Sequence, residues 1–204
     1  MTPHDWTRTA NPVPMLRFAW KQTGDKRRLR LAAAAAWELY RDGDDDPELP
    51  GLLDLAARVA DSEASEEERA AGFARARIAL GREGSRFLNW SAYEAAFSTF
   101  GDYGGVLGAP RDRTPQRTAP YADLLREIYG DLFLAEAFDP SWRTEAVVGL
   151  ARGMYAERDF GPMPVLADAL EDAGCTSGEV LDHCRGPGPH VRGCWVVDLV
   201  LGKA

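Results

Sequence analysis

The sequence lacks the features of a membrane protein and of a general nucleic-acid binder. Its 204 residues contain no apolar run long enough to span a bilayer, and the N-terminal residues have no apolar core of a signal peptide. Basic residues are outnumbered, 24 against 32 acidic ones, which gives a formal net charge of −8. Because phosphate backbones and anionic membranes bind basic faces, this balance argues against nucleic-acid and membrane partners.

Cysteine and histidine are scarce, with three of each in the chain. A small, odd number of cysteines does not build a disulfide framework, and the missing signal peptide indicates a reducing compartment. We therefore predict a cytoplasmic protein. All three cysteines and two of the three histidines lie between Cys175 and Cys194. This segment is where side chains could do chemistry beyond packing.

Common catalytic motifs are also missing. The sequence contains no GxSxG, HExxH, GxGxxG or paired CxxC pattern, and no phosphate-binding loop. A cysteine-dependent enzyme would have to rely on Cys184 or Cys194, activated by His183 or His190. We instead predict a non-enzymatic protein-interaction or regulatory module with no cofactor, whose partner is another protein of unknown identity.

Strand signals are nearly absent, whereas helix signals recur along the chain. Apolar residues follow helical spacing in several stretches, such as 52–59, and Ser65 with Glu68 forms a capping-box pattern. We predict an all-α multi-helix bundle whose C-terminal half consists of short, repeat-like helical hairpins. The helices predicted in that half cover 121–129, 144–157, 162–173, 177–184 and 190–201.

A segment without helical periodicity divides the chain. Residues 101–120 contain many glycines, prolines and arginines and are predicted to form a long loop or linker. We place one helical subdomain at 1–100 and a second at 121–204, with one continuous domain as the alternative. The aromatic-rich stretch 85–100 is predicted to form a helix with a core-facing stripe.

The spacing of the cysteines and histidines allows a metal site. If the last helix begins just before His190, then His190 and Cys194 lie one turn apart on one face. Folding at the GPGP turn would bring His183 and Cys175 towards them, and zinc favours such sets of nitrogen and sulfur ligands. The usual paired spacing of zinc ligands is missing, and free cysteines commonly pack as small apolar residues. A zinc-stabilised domain is therefore the second hypothesis.

The same turn suggests an interaction surface. Arg185, His190 and Arg192 surround the expected start of the last helix, and Trp195 lies behind them. Free N–H groups at a helix N-terminus favour anions, so we predict that a phosphate or an acidic peptide could bind at this corner. The alternative is that its glycines and prolines form only a tight connection between two helices.

Two long segments carry a family resemblance. They are FDPSWRTEAVVGLARGMYAERDF and PVLADALEDAGCTSGEVLDHCRGPGPHVRGCWVVDLVLGK, and shorter likenesses occur at Pro14–Leu16 and Lys26–Leu31. They resemble an uncharacterised family of helical proteins from planctomycete-type bacteria. The resemblance covers about the last 65 residues. It implies a soluble, bacterial, mainly helical protein, and it transfers no catalytic residues to this chain.

Overall fold

The computed structural model describes residues 1–40, 47–80, 114–133 and 138–203. Within these ranges all regular structure is helical, which confirms the predicted all-α multi-helix fold. None of the described helices is both long enough and apolar enough to cross a membrane. The helices are α1 (Pro3–Arg8), α2 (Pro12–Thr23), α3 (Lys26–Tyr40), α4 (Leu49–Ala60), α5 (Glu66–Leu80), α6 (Pro115–Tyr129), a 3₁₀ turn (Pro140–Trp142), α7 (Glu145–Glu157), α8 (Met163–Asp172), α9 (Gly178–Arg185) and α10 (Trp195–Leu201).

Local side-chain chemistry determines several helix ends. At the start of α1 the Thr2 hydroxyl accepts from the Asp5 N–H, and the Asp5 carboxylate accepts from the Thr2 N–H. Ser65 and Glu68 form the same reciprocal pair before α5, as predicted, at 3.1 and 2.8 Å. These bonds satisfy N–H groups that the first turn of a helix leaves unpaired.

The chain divides into two compact units, Met1–Arg126 and Glu127–Ala204. The division falls inside α6, whereas the sequence placed it in the loop predicted over 101–120. The predicted loop also extends too far at its C-terminal end, because α6 begins at Pro115. Proline is well tolerated in a first helical turn, so its presence there does not mark a loop. The segment 81–113, which includes the helix predicted over 85–100, lies outside the described residues.

In the first unit, α3 packs against α4. The alanine run gives α3 a thin face, and Leu29, Ala32, Ala33 and Ala36, which recur at helical spacing, are buried. Leu52 of α4 is also buried. At the edge of this pair, Nε of Arg27 donates to Asp61 at 2.7 Å, which ties the start of α3 to the end of α4.

The second unit has a core of its own. In it α8 packs against α9 and α7, and α10 packs against α7. Its buried residues are mainly aliphatic and include all three cysteines. The largest ones, with less than 2% exposure, are Met163, Leu166 and Leu170. The similarity of this half to a repeat array stays a prediction.

Leu166→Ala should lower the free energy of unfolding by about 2–5 kcal/mol, because it removes buried methyl groups and leaves a cavity. Val165 is the matched control on the same helix, since it is 54% exposed while Leu166 is 0% exposed. Val165→Ala should change stability by less than about 0.5 kcal/mol. Urea unfolding measures both, and equal losses would show that α8 does not bury the face assigned here.

The last helix is shorter than predicted. It covers Trp195–Leu201 and does not begin at His190. The connection before it contains Gly188 at φ +76° and Gly193 at φ +96°, and these left-handed conformations interrupt a helix. His190 and Cys194 therefore do not share a helical face, and the predicted anion site at a helix start near His190 does not form.

Candidate functional site

Four side chains from three segments of the second unit meet in its interior. Glu127 belongs to the last turn of α6, His183 to α9, and His190 and Cys194 to the connection before α10. One ligand-type atom from each of the four lies within 4.8 Å of the others. We call these four residues the Glu–His–His–Cys cluster. Distant parts of the chain supply it, so it forms only when the second unit folds.

The carboxylate of Glu127 is at the centre of the cluster. Its side chain is 4% exposed, and Oε2 lies 3.3 Å from Nε2 of His183. Nδ1 of His190 lies 3.2 and 3.3 Å from the two carboxylate oxygens. A buried carboxylate needs donors or a positive charge nearby, because burial removes its hydration. Both imidazoles and the thiol of Cys194 face it.

The indole of Trp195 determines how His183 can be protonated. Nε1–H of Trp195 donates to Nδ1 of His183 at 3.1 Å, and the two rings meet edge to face. Since Nδ1 accepts, the neutral ring carries its proton on Nε2. Nε2 faces Glu127 and also Sγ of Cys194, which lies 3.3 Å away. Burial lowers the pKa of His183, so the neutral ring is favoured.

The pKa of His190 is shifted in the opposite direction to that of His183. The hydrogen bond of His190 to the Glu127 carboxylate raises its pKa, and burial opposes that effect only in part. The nearby backbone of Gly186 adds a smaller effect in the same direction. Nε2 of His190 is nevertheless buried without a hydrogen-bond partner of standard geometry. The polar groups of this ring are therefore only half satisfied by the surrounding side chains.

The tight connection before α10 positions His190. Gly188 has φ +76°, and a Cβ built on it would lie 2.9 Å from the backbone nitrogen of His190. Only glycine accommodates both the left-handed backbone and this close approach. The turn therefore does more than join two helices, because it places the imidazole of His190 against Glu127.

The three thiols lie inside the unit and are poor nucleophiles there. Burial raises the pKa of Cys184 to about 12 and raises that of Cys194 well above its ordinary value. Cys175, which the sequence placed in the zinc ligand set, packs in the apolar core instead. Because the thiolate is the reactive form of cysteine, this environment does not support a cysteine-dependent enzyme.

Alkylation should confirm that the thiols are protected. We expect the cysteines to react with iodoacetamide on the order of 100-fold more slowly in the native chain than in urea-unfolded chain, since reaction requires local opening. Mass spectrometry of the peptides measures each cysteine separately. A thiol that reacts at the unfolded rate at neutral pH would contradict the burial described here. It would support the hypothesis of a cysteine-dependent enzyme.

The corner predicted from the sequence is not one exposed surface. Arg185 points outward with 41% of its side chain exposed, but its guanidinium contacts Asp168 at 3.0 Å and Glu171 at 2.6 Å. The guanidinium of Arg192 lies over the ring of Tyr155, 4.6 Å from its centre. The other two residues of that corner are a member of the Glu–His–His–Cys cluster and the indole that contacts it. The guanidinium groups of both arginines therefore already have partners within the unit.

Sequence reasoning did not identify Glu127 as a site residue. It lies in an ordinary helical segment, in an acidic chain where most carboxylates are solvated. Its neighbours Leu125 and Ile128 are both fully buried, and a carboxylate between two such residues was the available signal. A single acid on a helix does not reveal its partners, because those partners come from a distant part of the chain.

No protein-family model, curated protein or solved structure matches this chain. The resemblance to a planctomycete-type bacterial family therefore stays a prediction. Function must be argued from the geometry and chemistry of the site, since an all-α fold by itself is compatible with many activities.

Proposed function

We propose that this chain is a non-enzymatic helical protein-interaction module, and that it binds another protein through an exposed face of α8 and α9. All three thiols are buried, burial raises the pKa of Cys184 and of Cys194, and the two cluster imidazoles are engaged by Glu127 and by the indole of Trp195. A cytoplasmic location, expected from the small number of cysteines, is part of this proposal.

The proposed surface, here called the α8–α9 face, consists of Val165, Asp168, Glu171, Asp172 and Arg185. Val165 is a large apolar residue left 54% exposed. On α8 it is followed at i+3 and i+7 by acidic residues, which places them on the same side. The exposed apolar side chain within this charged surface is the observation on which the proposal rests.

The charge of the α8–α9 face indicates the kind of partner. It carries three carboxylates and one guanidinium, and Arg185 already bridges Asp168 and Glu171. The face is therefore negative, in a chain of net charge −8. A complementary partner presents lysine or arginine side chains around an apolar contact for Val165. This is the reverse of the acidic ligand that the sequence suggested for the Arg185 corner.

The test begins with a photo-reactive amino acid placed at position 165, with position 152 on α7 as the control site. Arg152 is also exposed and lies outside the proposed face. A partner that cross-links at 165 and not at 152 is then purified and titrated against the chain. Its affinity should weaken as salt increases, because the contact is partly electrostatic.

Matched substitutions decide whether the face itself binds. Val165→Lys and Asp172→Lys should each weaken the affinity at least about tenfold, since one removes the apolar contact and both oppose a basic partner. Glu157→Lys on α7 makes the same acid-to-lysine change away from the face and should leave the affinity unchanged. The proposal is overturned by the lack of an adduct specific to position 165, or by equal binding of all variants.

A further inference from the structure

We propose that the Glu–His–His–Cys cluster binds one zinc ion. The ligands are a carboxylate oxygen of Glu127, Nε2 of His183, Nδ1 of His190 and Sγ of Cys194. This inference goes beyond protein binding and does not depend on it. It also replaces the ligand set expected from the sequence, because Glu127 takes the place of Cys175.

The distances between the donor atoms fit a tetrahedral ion. Zinc binds nitrogen and oxygen at about 2.0–2.1 Å and sulfur at about 2.3 Å, so its tetrahedral ligands lie about 3.3–3.6 Å apart. Nε2 of His183 lies 3.3 Å from both Sγ of Cys194 and Oε2 of Glu127, and Nδ1 of His190 lies 3.2 Å from Oε1. These spacings are close to those around zinc, and all four donor atoms lie within 4.8 Å of one another.

The donor set also balances the charge of a divalent ion. The Glu127 carboxylate and the Cys194 thiolate contribute two negative charges, and the two neutral imidazoles contribute none. A zinc ion then gives a neutral buried site, which avoids the large penalty of burying net charge. A metal deprotonates a coordinating thiol, so burial of Cys194 does not prevent binding.

His190 supplies an independent sign that the cluster takes a ligand. Its side chain is 10% exposed, and its ring faces the buried Glu127 carboxylate through Nδ1. Nδ1 points between both carboxylate oxygens, at 3.2 and 3.3 Å, so its one proton makes only a long, shared contact. Such half-satisfied polar groups are rare in protein interiors. A metal would use the lone pair of Nδ1 directly.

The chemistry of the donors selects the metal and its role. Nitrogen and sulfur ligands suit zinc, whereas magnesium and calcium prefer sites made of oxygen alone. Four protein ligands complete a tetrahedral shell and leave no open position for water or substrate, which is typical of structural zinc sites. The ion would join the end of α6 to α9 and to the connection before α10.

Binding requires one local rearrangement, and this makes it observable. When Nε2 of His183 binds zinc, its ring proton moves to Nδ1, which now faces the N–H of Trp195. Two donors cannot share that contact, so the indole must turn or find another acceptor. The emission of Trp195 should therefore change on zinc addition, and Trp195→Phe should abolish that change.

The decisive test is metal analysis of the full-length chain, produced without a histidine tag in zinc-supplemented medium. We expect about one equivalent of zinc, and less than about a tenth in Glu127→Gln and Cys194→Ala. Cys175→Ala and Cys184→Ala are the matched controls, because each removes a buried thiol outside the ligand set and should keep about one equivalent. Chelation should lower the melting temperature on the order of 10 °C, and zinc should restore it.

Cobalt titration of the unmodified chain keeps the proposal testable even if a variant fails to fold. Tetrahedral cobalt with a thiolate ligand gives intense visible bands and a thiolate-to-metal band in the near ultraviolet. Wild-type chain with less than about a tenth of an equivalent of zinc and no thiolate band would overturn the site. Full zinc occupancy in Cys194→Ala would overturn the ligand set.

Discussion

Replacing Glu127 with alanine should lower the free energy of unfolding of the second unit by about 3–5 kcal/mol. Its carboxylate is 4% exposed and is shared by two imidazoles, at 3.2 Å from His190 and 3.3 Å from His183. Removing it leaves the two buried imidazoles without the acceptor that both of them face. It also takes the only carboxylate out of the Glu–His–His–Cys cluster.

Asp123 is a close control for this substitution, because it lies one turn earlier on α6 and its side chain is 56% exposed. Its ion pair with Arg126 is a surface contact, so Asp123→Ala should reduce stability by less than about 1 kcal/mol. Urea unfolding followed by circular dichroism measures both variants. If Glu127→Ala loses no more than Asp123→Ala, the carboxylate does not hold the cluster together.

Replacing Gly130 with alanine should cost about 2–4 kcal/mol of stability. Gly130 follows α6 with φ +66°, and a Cβ built there would lie 3.0 Å from Cγ and Cδ2 of Trp195. The left-handed backbone disfavours a side chain by about 1–2 kcal/mol, and the contact with the indole adds overpacking. The same indole orients His183, so its displacement should also disturb the cluster.

Substitution of Gly174 separates the backbone penalty from the effect of the contact with the indole. Gly174 has φ +89°, but no atom would lie within 4 Å of its Cβ. Gly174→Ala should therefore show the backbone penalty alone, about 1–2 kcal/mol. Thermal unfolding of both variants gives the comparison. Equal losses at the two positions would mean that the close packing of Trp195 on Gly130 is not a significant constraint.

The fold could be predicted from the sequence wherever local chemistry determines it. The capping pair Ser65 and Glu68 forms as predicted, and the apolar residues spaced at helical intervals over 52–59 are buried in α4. The last helix was predicted to begin too early, because periodicity from 190 to 201 does not reveal the positive φ values at Gly188 and Gly193. Those backbone conformations depend on packing around the turn, which a single helical pattern does not contain.

The candidate site was only partly visible in the sequence, and for a physical reason. His183, His190 and Cys194 attracted attention because cysteine and histidine are scarce and close in sequence. Glu127 could not be linked to them, since an acid between two apolar residues does not reveal which distant side chains it meets after folding. Arg185 shows the same limit, because its carboxylate partners lie on α8, outside the cysteine-to-cysteine segment that drew attention to it.

A double-mutant cycle measures whether Glu127 of α6 and His190 of the connection before α10 interact in the folded chain. Stability is measured for Glu127→Ala, His190→Ala and the double variant. Because the two side chains are in contact, the account predicts a coupling energy of about 1–3 kcal/mol, so that the double variant loses much less than the sum of the single losses. Losses that add to within about 0.3–0.5 kcal/mol would contradict it, since independent sites behave in that way.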